Sequence, residues 1–199
     1  MIVGLDFDNT IVCYDNAIAT LAEQQFDLPA ALPRTKLAIR DHLRRLGQEE
    51  AWTRFQGTLY GPGMSHAQAF PYAVEVIHEL SDRGHTLAVI SHRTRFPYLG
   101  ERHDLHAHAK AWISSHLPDA LHSIAFHEDK AGKIEAIGRM SCEVFLDDLP
   151  EILLDPRFPT AARGVLFAPD GGPAAWTGTT VNSWVALKAL VLASDSSGR

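Results

Sequence analysis

Apolar and polar positions follow two rhythms along this chain, and the change from one to the other divides it. Residues 2–7, IVGLDF, open with a short continuous apolar run, the pattern of a parallel strand buried on both faces. Residues 9–14 turn away from it. From 15 to 69 the apolar positions recur three and four apart, in AIATLAEQQF, TKLAIRDHLRRL and EEAWTRFQGTLY. That spacing predicts three amphipathic helices, with breaks at LPAALP and GPGMS.

After residue 70 helices and strands alternate. YAVEVIHELSDRG predicts a helix with Gly84 as its C-terminal stop, and HTLAVIS a second strand ending at Ser91. HRTRFPYLGERHD reads as a loop, and LHAHAKAWISSHL as a helix that Pro118 ends. HSIAFH is a third strand, IEAIGRM a brief helix and CEVFLDD a fourth strand. LPEILLD is short and helical, RGVLFAP a fifth strand, PDGGPAAWTGTT a loop, VNSWVALKALVLA a closing helix and SDSSGR a frayed tail.

This alternation predicts an α/β class, a Rossmann-like three-layer domain with a parallel five-stranded sheet. The expected organisation is a core domain of 1–14 and 70–199 with a small helical insertion, 15–69, after the first strand. In such sheets ligands gather at the carboxyl ends of the strands.

Charge and cysteine content narrow the function classes. With 18 Lys+Arg against 24 Asp+Glu the formal charge is −6, which argues against a broad grip on nucleic acid or an anionic membrane. Two cysteines, Cys13 and Cys142, make neither a disulfide framework nor a zinc site, and a cytoplasmic location fits best. The opening apolar run meets Asp6 too soon to be a signal peptide or a membrane span.

Polar chemistry concentrates at the strand ends. Asp6 and Asp8 follow the first strand, Ser91, His92 and Arg93 the second, Lys130 and Lys133 the third, and Asp147 and Asp148 the fourth. Carboxylates at the end of a buried strand are costly unless something neutralises them. If the sheet is parallel, all four sets face one crevice. Asp6, Asp8 and Asp147 then make an oxygen-rich cage suited to Mg2+, with Ser91 and one lysine on the oxygens of a bound phosphate.

LDFDNT, VIS and VFLDD, with a lysine between the last two, resemble the motifs of the haloacid dehalogenase-like (HAD) superfamily in its phosphatase branch. The resemblance spans 2–150. It implies that Asp6 is a nucleophile forming an aspartyl-phosphate, and that Asp8 is the general acid and then the base that activates water. It implies Mg2+ held by Asp6, the backbone carbonyl of Asp8, and Asp147. Lys133, followed by IEAI, fits the third motif better than Lys130. Asn9, Thr10, Ser91, His92 and Arg93 are the candidate substrate-binding residues.

Dehalogenases of the superfamily lack an aspartate at the position of Asp8, because halide leaves without a proton, so Asp8 favours phosphoesters. The insertion lies where the family places its cap. Arg44, Arg45, Trp52, Arg54, Phe55 and Tyr60 are candidate substrate contacts there, although Trp52, Phe55 and Tyr60 read more simply as cap core.

Plainer roles stand beside these. Asp148 is placed to cap the helix of LPEILL, and His103, His106 and His108 read as surface histidines rather than metal ligands. The expected function is a Mg2+-dependent phosphatase of a small phosphorylated metabolite. A phosphotransferase or mutase with the same nucleophile and a non-catalytic binding module are the alternatives. No nucleic-acid or membrane partner is expected, and monomer and homodimer stay open.

Overall fold

The opening apolar run forms strand β1 (Ile2–Leu5), which stops one residue short of the first carboxylate. In this computed structural model, which describes residues Met1–Ser196, the elements then follow in order. They are β2 (Val12–Cys13), α1 (Asp15–Gln25), α2 (Lys36–Arg45), α3 (Glu49–Tyr60), a 3-10 turn (Pro62–His66), β3 (Gln68–Ala69) and α4 (Ala73–Asp82). Next come β4 (Thr86–His92), α5 (Leu105–His116), β5 (Ser123–His127), α6 (Lys130–Arg139) and β6 (Val144–Asp147). The chain closes with α7 (Pro150–Leu153), β7 (Arg163–Phe167), β8 (Thr179–Val181) and α8 (Trp184–Ser196).

The main sheet runs β5-β4-β1-β6-β7-β8, and every neighbouring pair is parallel. It has six strands, not the five that the hydrophobic pattern predicts. The extra strand, β8, pairs Val165 with Thr179 and Phe167 with Val181. Three residues at the end of a Gly- and Pro-rich stretch are too few to show a strand period. They join the sheet because the outer edge of β7 offers unpaired N–H and C=O groups. The two-residue strands β2 and β3 form a separate small sheet.

Two compact units divide the chain, and each has its own core. The first comprises Met1–Val12, Ala69–Arg93 and the chain from His116 onward. Here β1, β4, β6 and β7 are buried on both faces, as their unbroken apolar runs require. Ala88, Ile90, Phe145 and Leu166 share one cluster with Ile134 and Ile137 of α6 and with Ile152 and Leu153 of α7. Helices α4 and α8 pack against each other, joined at their rims by an ion pair of Lys188 with Glu79 at 2.9 Å. Gly4 of β1 sits where a Cβ would come within 2.5 Å of the Phe145 ring and 2.7 Å of Cys142 Sγ, so no larger residue fits in the central strand.

The second unit comprises Cys13–Gln68 and Thr94–Ser115, and so contains the three predicted insertion helices together with most of α5. The apolar faces of α1, α2 and α3 meet through Ile18, Leu21, Ile39, Leu43, Trp52, Phe55 and Leu59, all buried. Phe55 packs its ring 5.6 Å from Trp52 and 5.4 Å from Phe26. The segment Thr94–Ser115 belongs here for two reasons. Pro97 lies so close to Gly57 that a Cβ there would meet it at 2.8 Å, and the Trp112 indole donates to Ala67 O at 3.0 Å. No helix among the described residues is long and apolar enough to cross a membrane.

Candidate active site

Asp6 continues the backbone ladder of β1 by one residue, its N–H donating to Leu146 O of β6 at 2.9 Å. This holds the residue between the two strands while its side chain emerges at their carboxyl ends. The chain then turns sharply. Asn9 adopts the left-handed region at φ 58°, a conformation asparagine tolerates better than most residues, and the N–H groups of Ile11 and Val12 both donate to Phe7 O at 3.0 Å. The turn folds Thr10 back so that its hydroxyl donates to Asp6 Oδ2 at 3.2 Å. Thr10 O accepts the indole N–H of Trp184, from the start of α8, at 3.1 Å.

The other oxygen of Asp6 takes two donors. Ser91, near the end of β4, gives its hydroxyl to Asp6 Oδ1 at 2.8 Å, and Lys133 Nζ donates to the same atom at 2.6 Å. Asp129 puts Lys133 in place by capping α6, its side chain accepting from Gly132 N at 2.7 Å. Lys133 therefore lies in the first turns of that helix, fully buried. Its Nζ is also 2.6 Å from Asp147 Oδ2, a second buried ion pair. Lys130, one turn earlier, instead forms an exposed pair with Glu151 at 2.9 Å.

Burial alone would push the Lys133 ammonium down. The carboxylates of Asp6 and Asp147 outweigh this and hold it above the ordinary lysine value. For Asp147 burial wins, against the neighbouring Lys133, and its carboxyl is pushed up to about 7. Asp148 rises to about 8, by burial and by the charges of Asp6 and Asp147. Three carboxyl groups are thus packed together with one resident cation among them.

Among the described residues, Asp6, Asp147 and Asp148 each present an oxygen within 4.8 Å of the others'. Hard oxygen donors at this spacing fit a divalent cation. Asp148 therefore does not serve as the helix cap that the sequence suggests. The N-cap position of α7 is Leu149, with no side-chain bond to it, and Asp147 Oδ1 accepts the Leu149 N–H at 3.0 Å.

Asp8 stands apart from that cluster. Its Oδ1 accepts from Arg93 Nη1 at 2.5 Å, and a fifth of its side chain is open to solvent, whereas the Arg93 side chain is only 3% exposed. Arg93 follows β4 directly and is tied to β5 by its own N–H, which donates to His127 O at 2.8 Å. His92 takes another direction, with Nε2 donating to Glu128 O at 3.2 Å. Of the candidates after the second strand, Ser91 reaches Asp6 and Arg93 reaches Asp8.

No family model matches this chain, and no curated protein matches it in sequence. Solved structures do match in fold. A predicted phosphatase from Clostridium acetobutylicum aligns with a TM-score of 0.62 at 15% identity, covering 96% of this chain and 97% of that one. A HAD phosphatase from Thermococcus onnurineus gives 0.59 at 16%, over 95% and 96%. The HAD-hydrolase YfnB from Bacillus subtilis, bound to magnesium, gives 0.59 at 14%, over 96% and 98%. This chain has the haloacid dehalogenase-like fold.

Within the HAD-like fold two features escape a linear reading. The pairing of Arg93 with Asp8 spans 85 positions, and the only local signal for it is a basic residue directly after a strand end. The contact of Trp184 with Thr10 has no signal in either segment, because an indole at a helix start reads as packing. In the second unit Trp52 and Phe55 are buried core, while Arg44 pairs with Glu49 at 2.6 Å and Arg54 with Glu50 at 3.8 Å. Tyr60 stacks edge-on against Tyr14, 5.1 Å away, and accepts from Lys36 Nζ at 2.9 Å. His103 precedes α5 rather than lying on it, and its ring meets that of His108 at 6.1 Å.

Proposed function

We propose that this protein is a Mg2+-dependent phosphatase that hydrolyses a small phosphorylated metabolite through an aspartyl-phosphate on Asp6. The observation that carries the reading is the state of Asp6. It is a buried carboxylate at the end of the central strand, with Ser91 and Lys133 on one oxygen and Thr10 on the other. A carboxylate held this way is a fixed nucleophile, and covalent transfer splits one hard displacement into two easier ones.

In the first step a carboxylate oxygen of Asp6 attacks phosphorus and the bond from phosphorus to the leaving oxygen breaks. Asp8 gives its proton to that oxygen, so that an alcohol departs. In the second step water attacks the same phosphorus, its proton passes to Asp8, and the bond to Asp6 breaks to release inorganic phosphate. Ser91 and Lys133 supply donors for the phosphoryl oxygens, where positioning and charge are most of what catalysis needs.

Asp6, Asp147 and Asp148, with the backbone carbonyl of Asp8, would hold Mg2+. When bound, the cation neutralises charge on the transferring phosphoryl group. Phosphate release from p-nitrophenyl phosphate and from a panel of phosphorylated metabolites tests the reading. Turnover is expected with Mg2+, lost on chelation and restored by Mg2+. A rate indifferent to chelator would remove the metal from the scheme, and no phosphate release from any ester would leave a binding module.

A further inference from the structure

We propose that Arg93 is a positioning residue, holding the Asp8 carboxyl group in the orientation from which its protonated form gives a proton to the leaving oxygen and its carboxylate form takes one back from water. This role rests on the phosphatase reading. It differs from the substrate-binding role that the position of Arg93 after the second strand suggests.

Three observations carry it. First, the guanidinium is withdrawn from solvent, with 3% of the side chain exposed, and Nη1 is committed to Asp8 Oδ1. Second, Arg93 is built in at both ends. Its backbone N–H is fixed on His127 O of β5, and its Cζ lies 5.9 Å from the ring centroid of Phe7, which packs edge-on against Phe126 of β5 at 5.8 Å. Third, Ser91, Lys133 and Thr10 already place donors on both oxygens of Asp6.

The need for such a residue follows from where Asp8 stands. It lies in the turn between β1 and β2, beside Asn9 with its left-handed backbone, and keeps a fifth of its side chain open. A carboxylate there rotates about its side-chain bonds unless something grips it. A guanidinium anchored on a neighbouring strand, with Nη1 on Asp8 Oδ1, fixes the place of that oxygen, and its rigid fork does so with less loss of freedom than a lysine ammonium on a flexible stem. Small displacements of a proton donor are expensive, since a misplacement of about 1 Å costs on the order of 100-fold.

The test is the dependence of rate on the leaving group. Departure of p-nitrophenolate needs little help from a proton, whereas departure of an alkoxide needs a proton from Asp8. The value of kcat/KM reports the steps up to release of the alcohol, and so isolates this proton from the later hydrolysis. With saturating Mg2+, Arg93→Ala is expected to lower kcat/KM for an alkyl phosphate by about 10- to 100-fold more than for p-nitrophenyl phosphate. Arg93→Lys is expected to recover part of that difference. In an Asp8→Ala background, Arg93→Ala is expected to add almost nothing to the alkyl-ester defect.

Equal losses for the two esters, carried in KM, would overturn the proposal in favour of phosphate binding. Additive losses in the double variant would overturn it as well. Thermal melts check that each variant is folded. If Arg93→Ala does not fold, Arg93→Lys, which keeps the charge and the stem, carries the same two-ester comparison. If the unsubstituted protein turns over neither ester, the phosphatase reading itself falls. If it turns over both and the Arg93 variants keep its ester ratio, the role of Arg93 alone falls.

Discussion

Asp6 is enclosed by Ser91, Thr10 and Lys133, whereas Asp8, two residues further on, keeps part of its side chain open and pairs with Arg93. Both are strand-end carboxylates facing a cation, yet their surroundings suit opposite tasks. A nucleophile gains from a fixed place in a dry, preorganised setting, where electrostatic contacts are strongest. A proton carrier must meet an alcohol and then a water, so it needs a path to solvent and a hold that sets its orientation. The difference lies in the partners rather than in the two residues, which are chemically identical.

The largest expected effect falls on the enclosed side. Asp6→Asn keeps the shape and removes the nucleophile, and phosphate release should fall by at least about 10⁴-fold with a melting curve close to that of the parent. Substantial retained turnover would break the comparison at its centre. On the open side, Asp8→Ala should slow turnover by about 10²–10⁴-fold and leave Asp6 phosphorylated by p-nitrophenyl phosphate. Intact-mass measurement should show one added phosphoryl group, and a chain that never carries it would refute the division of roles.

Smaller effects concern stability. Lys133→Met leaves Asp6 and Asp147 buried without their cation, and unfolding in chelator should show a loss of about 3 kcal/mol, partly regained with Mg2+. An unchanged unfolding midpoint would mean that the cluster is solvated. The last effect is a pH dependence. Asp147 has its carboxyl pushed up to about 7 by burial, so the folded chain holds a proton that the unfolded chain releases in the ordinary carboxylate range. The contribution of Asp147 and Asp148 to stability in chelator should therefore be greatest at the acid end and decline as pH rises through about 7 and then about 8. Lys133, held above the ordinary lysine value, contributes undiminished across that window. Melting temperatures from pH 4 to 8, with and without Mg2+, should converge at the acid end and separate toward neutrality.

Much of this architecture is legible in the sequence, because buried parallel strands and amphipathic helices each impose their own spacing. IVGL, TLAVIS and VFLD declare themselves by unbroken apolar runs, and the carboxylates that end two of them are costly to bury unless a cation or donors meet them, which marks them as a site. β8 was hidden for a physical reason. Its three residues, Thr179–Val181, gain strand conformation from the edge of β7 rather than from a pattern of their own. Asp148 was ambiguous for another. An aspartate ahead of a proline-led helix reads as a cap, and only the placement of β6 beside β1 turns it toward Asp6. Long-range pairings such as Arg93 with Asp8 are products of topology, which local spacing does not encode.

The bond from the Trp184 indole to Thr10 O has a consequence in time. Thr10 is synthesised 174 residues before the indole that holds its carbonyl. At the ribosome's pace of about 5–20 residues per second, that interval is roughly 9–35 s. For all of it the nascent chain carries the Asp6 turn without that brace. The turn after β1 is therefore among the first segments made, and its bond to α8 among the last that can form.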